Sequence, residues 1–320
     1  MENILKFLIV LFMAYQITAC ESAKESPQVK IATNPWPGYE LLFVAERQGY
    51  FEDEGLNIKL LQLASLVDVQ RTFIQGRANA MSSTVIEAII VSALNNQRVV
   101  PVLVPDYSYG GDMIISRQGT NNMASLKGKK IGVETGSLGI VILAKALKKY
   151  GLTIADIDYI NLEQLKMKDE LVSGQVDAVV TYPPFATEIL RDEAYKTVFT
   201  TREIPGQIID VISVSEEVIK ADPNWAKKFN RAWLRALEYL DNNKQSAIRM
   251  MAEREGITEK EFEAALNDLH LLNASELAEV LQKPSFIENI KSICSILVNL
   301  KTINTDCSVI AQNLMPVTSE

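Results

Sequence analysis

Two successive copies of one pattern, short apolar runs separated by longer amphipathic stretches, constrain this chain more than any other feature. In the first copy, residues 29–32, 57–63, 78–81 and 99–104 read as strands, with helical spacing between them. The second copy begins at Lys130-Ile131-Gly132-Val133, continues through 157–161 and 178–181, and closes near Val198. A strand returning parallel to its predecessor needs a crossover of about a dozen residues, ordinarily a helix, so the pattern predicts two α/β lobes. Residues 113–116 lie between the copies and 211–214 follow the second; each is a β-like run without a helix of its own, read as a crossover strand. The implied partition has a discontinuous lobe 1 at 29–111 and 210–320, with lobe 2, 112–209, inserted into it. From Asp222 onward the chain is helical in character, with Asp222 as the expected N-cap and Pro223 at the first helical position. Trp225, Phe229, Trp233, Leu237 and Leu240 recur at helical intervals and are read as core.

Ahead of the first copy, residues 1–20 have the form of an export signal: Lys6, an apolar run at 7–15, then Thr18 and Ala19. The run is shorter than the roughly 20 apolar residues that span a bilayer. Its end, Ile17-Thr18-Ala19-Cys20, is similar to the lipobox of bacterial lipoproteins, which implies a lipid on Cys20 and anchoring to a membrane; an ordinary cleaved signal is the alternative. Residues 21–28 are polar and suit a tether. Cys294 and Cys307 remain; outside the cytoplasm they could form a disulfide, and their spacing leaves the pairing open.

Several chemistries lack their parts. A net charge of −8 and a pI near 5.0, with scattered basic residues, argue against a nucleic-acid partner. The single histidine, His270, is expected on an amphipathic helix and cannot build a zinc site or a serine-type triad with its neighbours. Gly132, Gly136 and Gly139 match neither the dinucleotide fingerprint nor a P-loop. No catalytic residue, cofactor or metal is therefore expected.

Ligands of open α/β sheets gather at the carboxyl ends of strands, and four strand-end segments carry suitable groups. They are 33–39, with Trp36, Gly38 and Tyr39; 82–84, with Ser83 and Thr84; 106–112, with Tyr107 and Asp112; and 182–185, starting with Tyr182. A fifth, 134–137, leads into a helix whose free N–H groups, with the Thr135 and Ser137 hydroxyls, could hold an anionic group; the plainer alternative is that Ser137 only caps its helix.

The segment "TNPWPGYELLFVAERQGYFEDEGLNIKL", Thr33 to Leu60, resembles the opening of the nitrate, sulfonate, taurine and thiamine-pyrimidine-precursor binding proteins, with Ala45, Gly49, Tyr50, Phe51, Glu54, Gly55 and Leu56 matching their signature. The likeness continues through "GRANAMSSTVIEAI", "LKGKKIGVETGSLG" and "LVSGQVDAVVTYPPF". It implies a two-lobed type II periplasmic binding fold, a solute-binding component of an ABC transporter, and a monomer that hands a small molecule to a membrane permease, or presents it to a membrane sensor. Carried over by residue, the expected contacts are Trp36, Gly38, Tyr39, Ser83, Thr84, Tyr107, Asp112, Thr135, Ser137 and Tyr182, with Asp210 at the second crossover. Asp106, Asp112 and Asp210 among aromatics favour a heteroaromatic or amine-like ligand, and half of the acids are expected on a solvated rim; a small anion is the alternative. Closure is expected by bending at 113–116 and 211–214. Pyrimidine-synthesising enzymes share the resemblance, but they depend on histidine and cysteine chemistry, so an enzyme is not expected here.

Overall fold

The computed structural model describes residues 26–95, 98–120 and 122–315; the expected export signal, Cys20 and residues 21–25 of the expected tether lie outside the described residues. Twelve strands form two five-stranded sheets and a two-stranded ribbon. They are β1 (Val29–Thr33), β2 (Ile58–Gln62), β3 (Ala80–Thr84), β4 (Val99–Leu103), β5 (Asp106–Ser108), β6 (Met113–Arg117), β7 (Lys130–Val133), β8 (Asp158–Asn161), β9 (Ala178–Thr181), β10 (Tyr195–Thr200), β11 (Asp210–Ser215) and β12 (Leu269–Leu271).

The first sheet runs β2-β1-β3-β11-β4 and the second β10-β6-β9-β7-β8. In the first, β1 is parallel to both β2 and β3, and β11 runs antiparallel between β3 and β4. The second repeats the device: β7 is parallel to β8 and β9, and β6 runs antiparallel between β10 and β9. β3 and β4 are buried along their whole length, as expected where helices cover both faces of a sheet.

β6 and β11, the expected crossover strands, are interior strands held by a ladder on each side. The chain passes between the sheets in the short links 109–112 and 201–209.

Two further expectations change. His270 lies on β12, paired with Tyr107 of β5, because Leu269 and Leu271 flank it with strand alternation and the preceding helix ends at Leu266. Asp222 does not cap the long helix Trp225–Asn242; its Oδ1 accepts from the Asn224 N–H at 2.9 Å, a turn that moves the N-cap to Asn224. That helix buries Trp225, Phe229 and Trp233 as the spacing predicts, with Phe51 and Trp225 stacked on Phe229 at centroid distances of 5.6 and 4.8 Å.

Gly132 and Gly139 serve packing. A Cβ on Gly132 would lie 2.5 Å from Leu162 Cδ1, and one on Gly139 would lie 3.1 Å from Val133 Cγ2. Near the end of the chain, a Cys294–Cys307 disulfide with a Cα separation of 5.7 Å joins helix Pro284–Asn299 to helix Cys307–Asn313.

Candidate functional site

The carboxyl ends of β1, β3 and β9 and the start of β11 converge on a cavity between the sheets. It has about 200 Å³ of empty volume and is lined by Asn34, Trp36, Tyr39, Leu66, Thr84, Asp112, Leu138, Tyr182 and Asp210. Trp36 and Tyr182 meet edge to face at 5.9 Å, and Tyr39 lies 6.5 Å from Trp36, giving an aromatic wall. No Lys or Arg is among the lining residues.

The acids are the dominant feature. Asp106, Asp112 and Asp210 are at most 2% exposed, which corrects the expectation that half would sit on a solvated rim. Asp106 starts β5, Asp112 immediately precedes β6 and Asp210 starts β11, so strand pairing fixes the backbone at each. The Tyr39 hydroxyl donates to Asp210 Oδ1. Asp210 Oδ2, both carboxyl oxygens of Asp106, Trp36 Nε1 and Asn34 Oδ1 are buried without a well-formed hydrogen bond, although the Asp106 carboxyl lies against both Asp210 and Trp36 and interacts with them. Asp106 backs onto Gly38 so closely that a Cβ there would meet its carboxyl, so this position requires glycine.

Burial sets the protonation behaviour. It pushes the Asp106 carboxyl up to about 7, with the Asp112 charge adding, and Asp112 likewise to about 7. Asp210 is raised further, by burial first and then by the Asp106 charge. Glu134, beside the cavity, is also pushed to about 7 by burial. The Tyr39 and Tyr182 hydroxyls are held well above their usual range by burial and neighbouring carboxylates, so both remain donors. Below about pH 7 these carboxyls therefore hold their protons and can donate as well as accept, and no basic side chain is among the residues that line the cavity.

Of the expected contacts, Trp36, Tyr39, Thr84, Asp112, Tyr182 and Asp210 line the cavity. Gly38 stands behind Asp106. Ser83 does not line it: alternation along β3 turns it away from Thr84, and its hydroxyl donates to the Thr84 carbonyl at 3.3 Å. Tyr107 faces a separate hollow with Tyr109, Gly206, Leu269 and His270. Thr135 gives both its N–H and hydroxyl to Asn161 Oδ1, at 3.0 and 3.1 Å, and Ser137, buried beside the cavity, caps nothing and points its hydroxyl at Glu134. Asn34, Leu66, Leu138 and the buried Glu87 behind Thr84 were not foreseen. For Glu87 the available signal was a lone carboxylate in the apolar helix Val85–Asn95.

The two halves are in contact across the site. Asn34 Nδ2 lies 3.4 Å from the Tyr182 hydroxyl, Gln70 Nε2 donates to the Gly136 carbonyl at 3.0 Å, and Arg191 forms a two-pronged pair with Glu261 at 2.7 and 2.8 Å. The structure is therefore that of a closed cleft.

Known proteins share this frame. The alkanesulfonate-binding protein SsuA of Xanthomonas axonopodis pv. citri, solved with MOPS bound, superposes with a TM-score of 0.78 over 92% of this chain and 100% of its own, at 16% identity. A Brucella abortus relative, provisionally named as a binding protein, is 24% identical over 181 residues, which is 54% of this chain and 56% of that one. A 4-amino-5-hydroxymethyl-2-methylpyrimidine phosphate synthase of Saccharomyces cerevisiae is 22% identical over 220 residues, 64% of each chain. The chain thus matches less than two thirds of the length of these curated relatives. The profile of the NMT1-like family covers residues 22–255. With two α/β halves closed over an acid-lined cavity on the frame of the periplasmic binding proteins, the chain belongs to the NMT1-like family.

Proposed function

We propose that this protein is the solute-binding component of an ABC-type importer and that it closes its two lobes, 29–111 with 210–320 and 112–209, over a cationic or hydrogen-bond-donating heteroaromatic or amine-like molecule. The observation that supports the ligand class is a cavity lined by the buried carboxyls of Asp112 and Asp210 beside an aromatic wall, with no lysine or arginine among the lining residues. Trp36, Tyr39 and Tyr182 supply ring faces and edges; Asp210, Asp112 and Thr84 supply acceptors. An export signal with a lipid on Cys20 would hold a monomer outside the cytoplasm, beside its permease.

Binding without turnover is supported by where the reactive side chains sit. The His270 side chain is exposed, with its Nε2 3.0 Å from Glu276, and Cys294 and Cys307 are joined to each other and do not line the cavity. The test is calorimetry of the mature chain against amidines, aminopyrimidines, quaternary amines, methanesulfonate and nitrate. Binding confined to the cationic and heteroaromatic probes is expected. Binding confined to sulfonate or nitrate would refute the ligand class, and conversion of a probe to product would refute the non-catalytic role.

A further inference from the structure

The helix start at Leu138 already carries a carboxylate, and it comes from the other half of the molecule. Glu87 belongs to helix Val85–Asn95, which packs on the first sheet, and its side chain is fully buried. Its Oε2 accepts from the Thr84 N–H at 2.9 Å and from the Thr84 hydroxyl, while Oε1 accepts from the Leu138 N–H at 2.7 Å. Leu138 is the first residue of helix Leu138–Lys149 in the second half. The free N–H groups of such a start form a ready site for an anionic ligand group. Here the Leu138 N–H is filled by Glu87, the Thr135 N–H just ahead of it is filled by Asn161, and Ser137 offers no cap. Thr84 and Leu138, the two residues that Glu87 bridges, both line the cavity, and Asp112 and Asp210 line it with them.

We propose that Glu87 sets the sign of the ligand: it is a tethered internal carboxyl that fills the Leu138 N–H at the helix start and leaves the cavity to cations and hydrogen-bond donors. An incoming anion would have to displace a side chain whose local concentration is that of an intramolecular partner, and would then face Asp112 and Asp210. The same contact spans the cleft, so Glu87 also holds the closed arrangement. This inference rests on the cavity being the ligand site of a solute-binding protein.

The experiment is calorimetric titration of the wild-type chain, Glu87→Ala and Glu87→Gln with methanesulfonate as the anionic probe and benzamidine as the cationic one, folding being checked by circular dichroism. Wild type is expected to bind no methanesulfonate. Glu87→Ala is expected to gain at least about tenfold in methanesulfonate affinity. Glu87→Gln keeps an acceptor for the Leu138 N–H without the charge and should gain less. Methanesulfonate binding by wild type, or no gain in either folded variant, would overturn the proposal; should the alanine chain not fold, the glutamine chain decides alone. A wild type that ignores benzamidine, with an anion gain in the variants, would leave the role of Glu87 standing and remove the cationic-ligand reading instead.

Discussion

Asp210 holds one oxygen toward Tyr39 and leaves the other buried without a well-formed hydrogen bond, so it weakens the empty protein while readying the site. Asp210→Asn should therefore raise the melting temperature of the unliganded chain near pH 8 and weaken a cationic probe by about tenfold or more, since hydrogen bonds to charged groups carry about 1.5–3 kcal/mol. An unchanged probe affinity would remove Asp210 from the contacts. The acids also couple stability to pH. Folded Asp106 and Asp112 hold their protons up to about 7, against a usual value of 3.8, so the stability they contribute is complete below that value and is lost as pH rises through about 7. The melting temperature of the empty chain should fall across that window, and binding a cation within it should release protons, read by calorimetry in buffers of different ionisation enthalpy. A flat profile with no proton release would mean that these carboxyls titrate normally. The aromatic and acidic contacts were legible because they stand at strand ends, where the fold brings loops together. Glu87 was hidden inside a helix whose apolar pattern marks it as core, and Ser83 and Thr135 were misplaced because strand alternation and one Asn161 side chain decide their direction.

Among the elements, the strands of the two large sheets were read to within two or three residues, since period-two patterns and helical crossovers dominate there, whereas the short ribbon strands β5 and β12 were not read as strands. Which strands pair was not legible. β6 and β11 look like connectors in the sequence because each stands where the chain passes from one lobe to the other, yet they insert antiparallel between two other strands of their sheets. The contacts between elements across the cleft give a direct test. Glu261 is drawn down to about 2 by the Arg191 guanidinium, and the pair joins helix Phe185–Leu190 and its end to helix Glu259–Leu266. An exposed pair contributes about 0.2–1 kcal/mol, so Arg191→Glu should speed ligand release a few-fold at low salt, with Glu261→Arg restoring it. Identical release rates in both chains would show that the pair does not guard the cleft. The disulfide closes a short loop 13 residues apart in sequence, so removing it as Cys294→Ala with Cys307→Ala should cost about 2–3 kcal/mol by chain entropy and leave ligand affinity unchanged. A loss of affinity in that variant would mean that the C-terminal helices reach the site.

At the scale of the whole molecule, only about 10 Å³ of the cavity is open to the centre of a water molecule, far below the roughly 300–1,000 Å³ typical of sites for drug-sized ligands, so a ligand enters only if the cleft opens. Opening would separate the two halves about the links 109–112 and 201–209, so small-angle scattering should give a larger radius of gyration for the empty chain than for the ligand-saturated one; equal radii would argue for a cleft that stays closed. The position of β11 has a further consequence, in time rather than in space. All five strands of the second sheet come from one unbroken stretch, β6 to β10, whereas β3 and β4 wait for a strand more than a hundred residues further along the chain to fill the gap between them. Contacts so distant in sequence form slowly. The half made second should thus become ordered first, and the earlier half should remain an open-edged, protease-sensitive intermediate until β11 arrives. A chain that crosses a membrane from its N-terminus would therefore depend on being held unfolded until its last third has emerged.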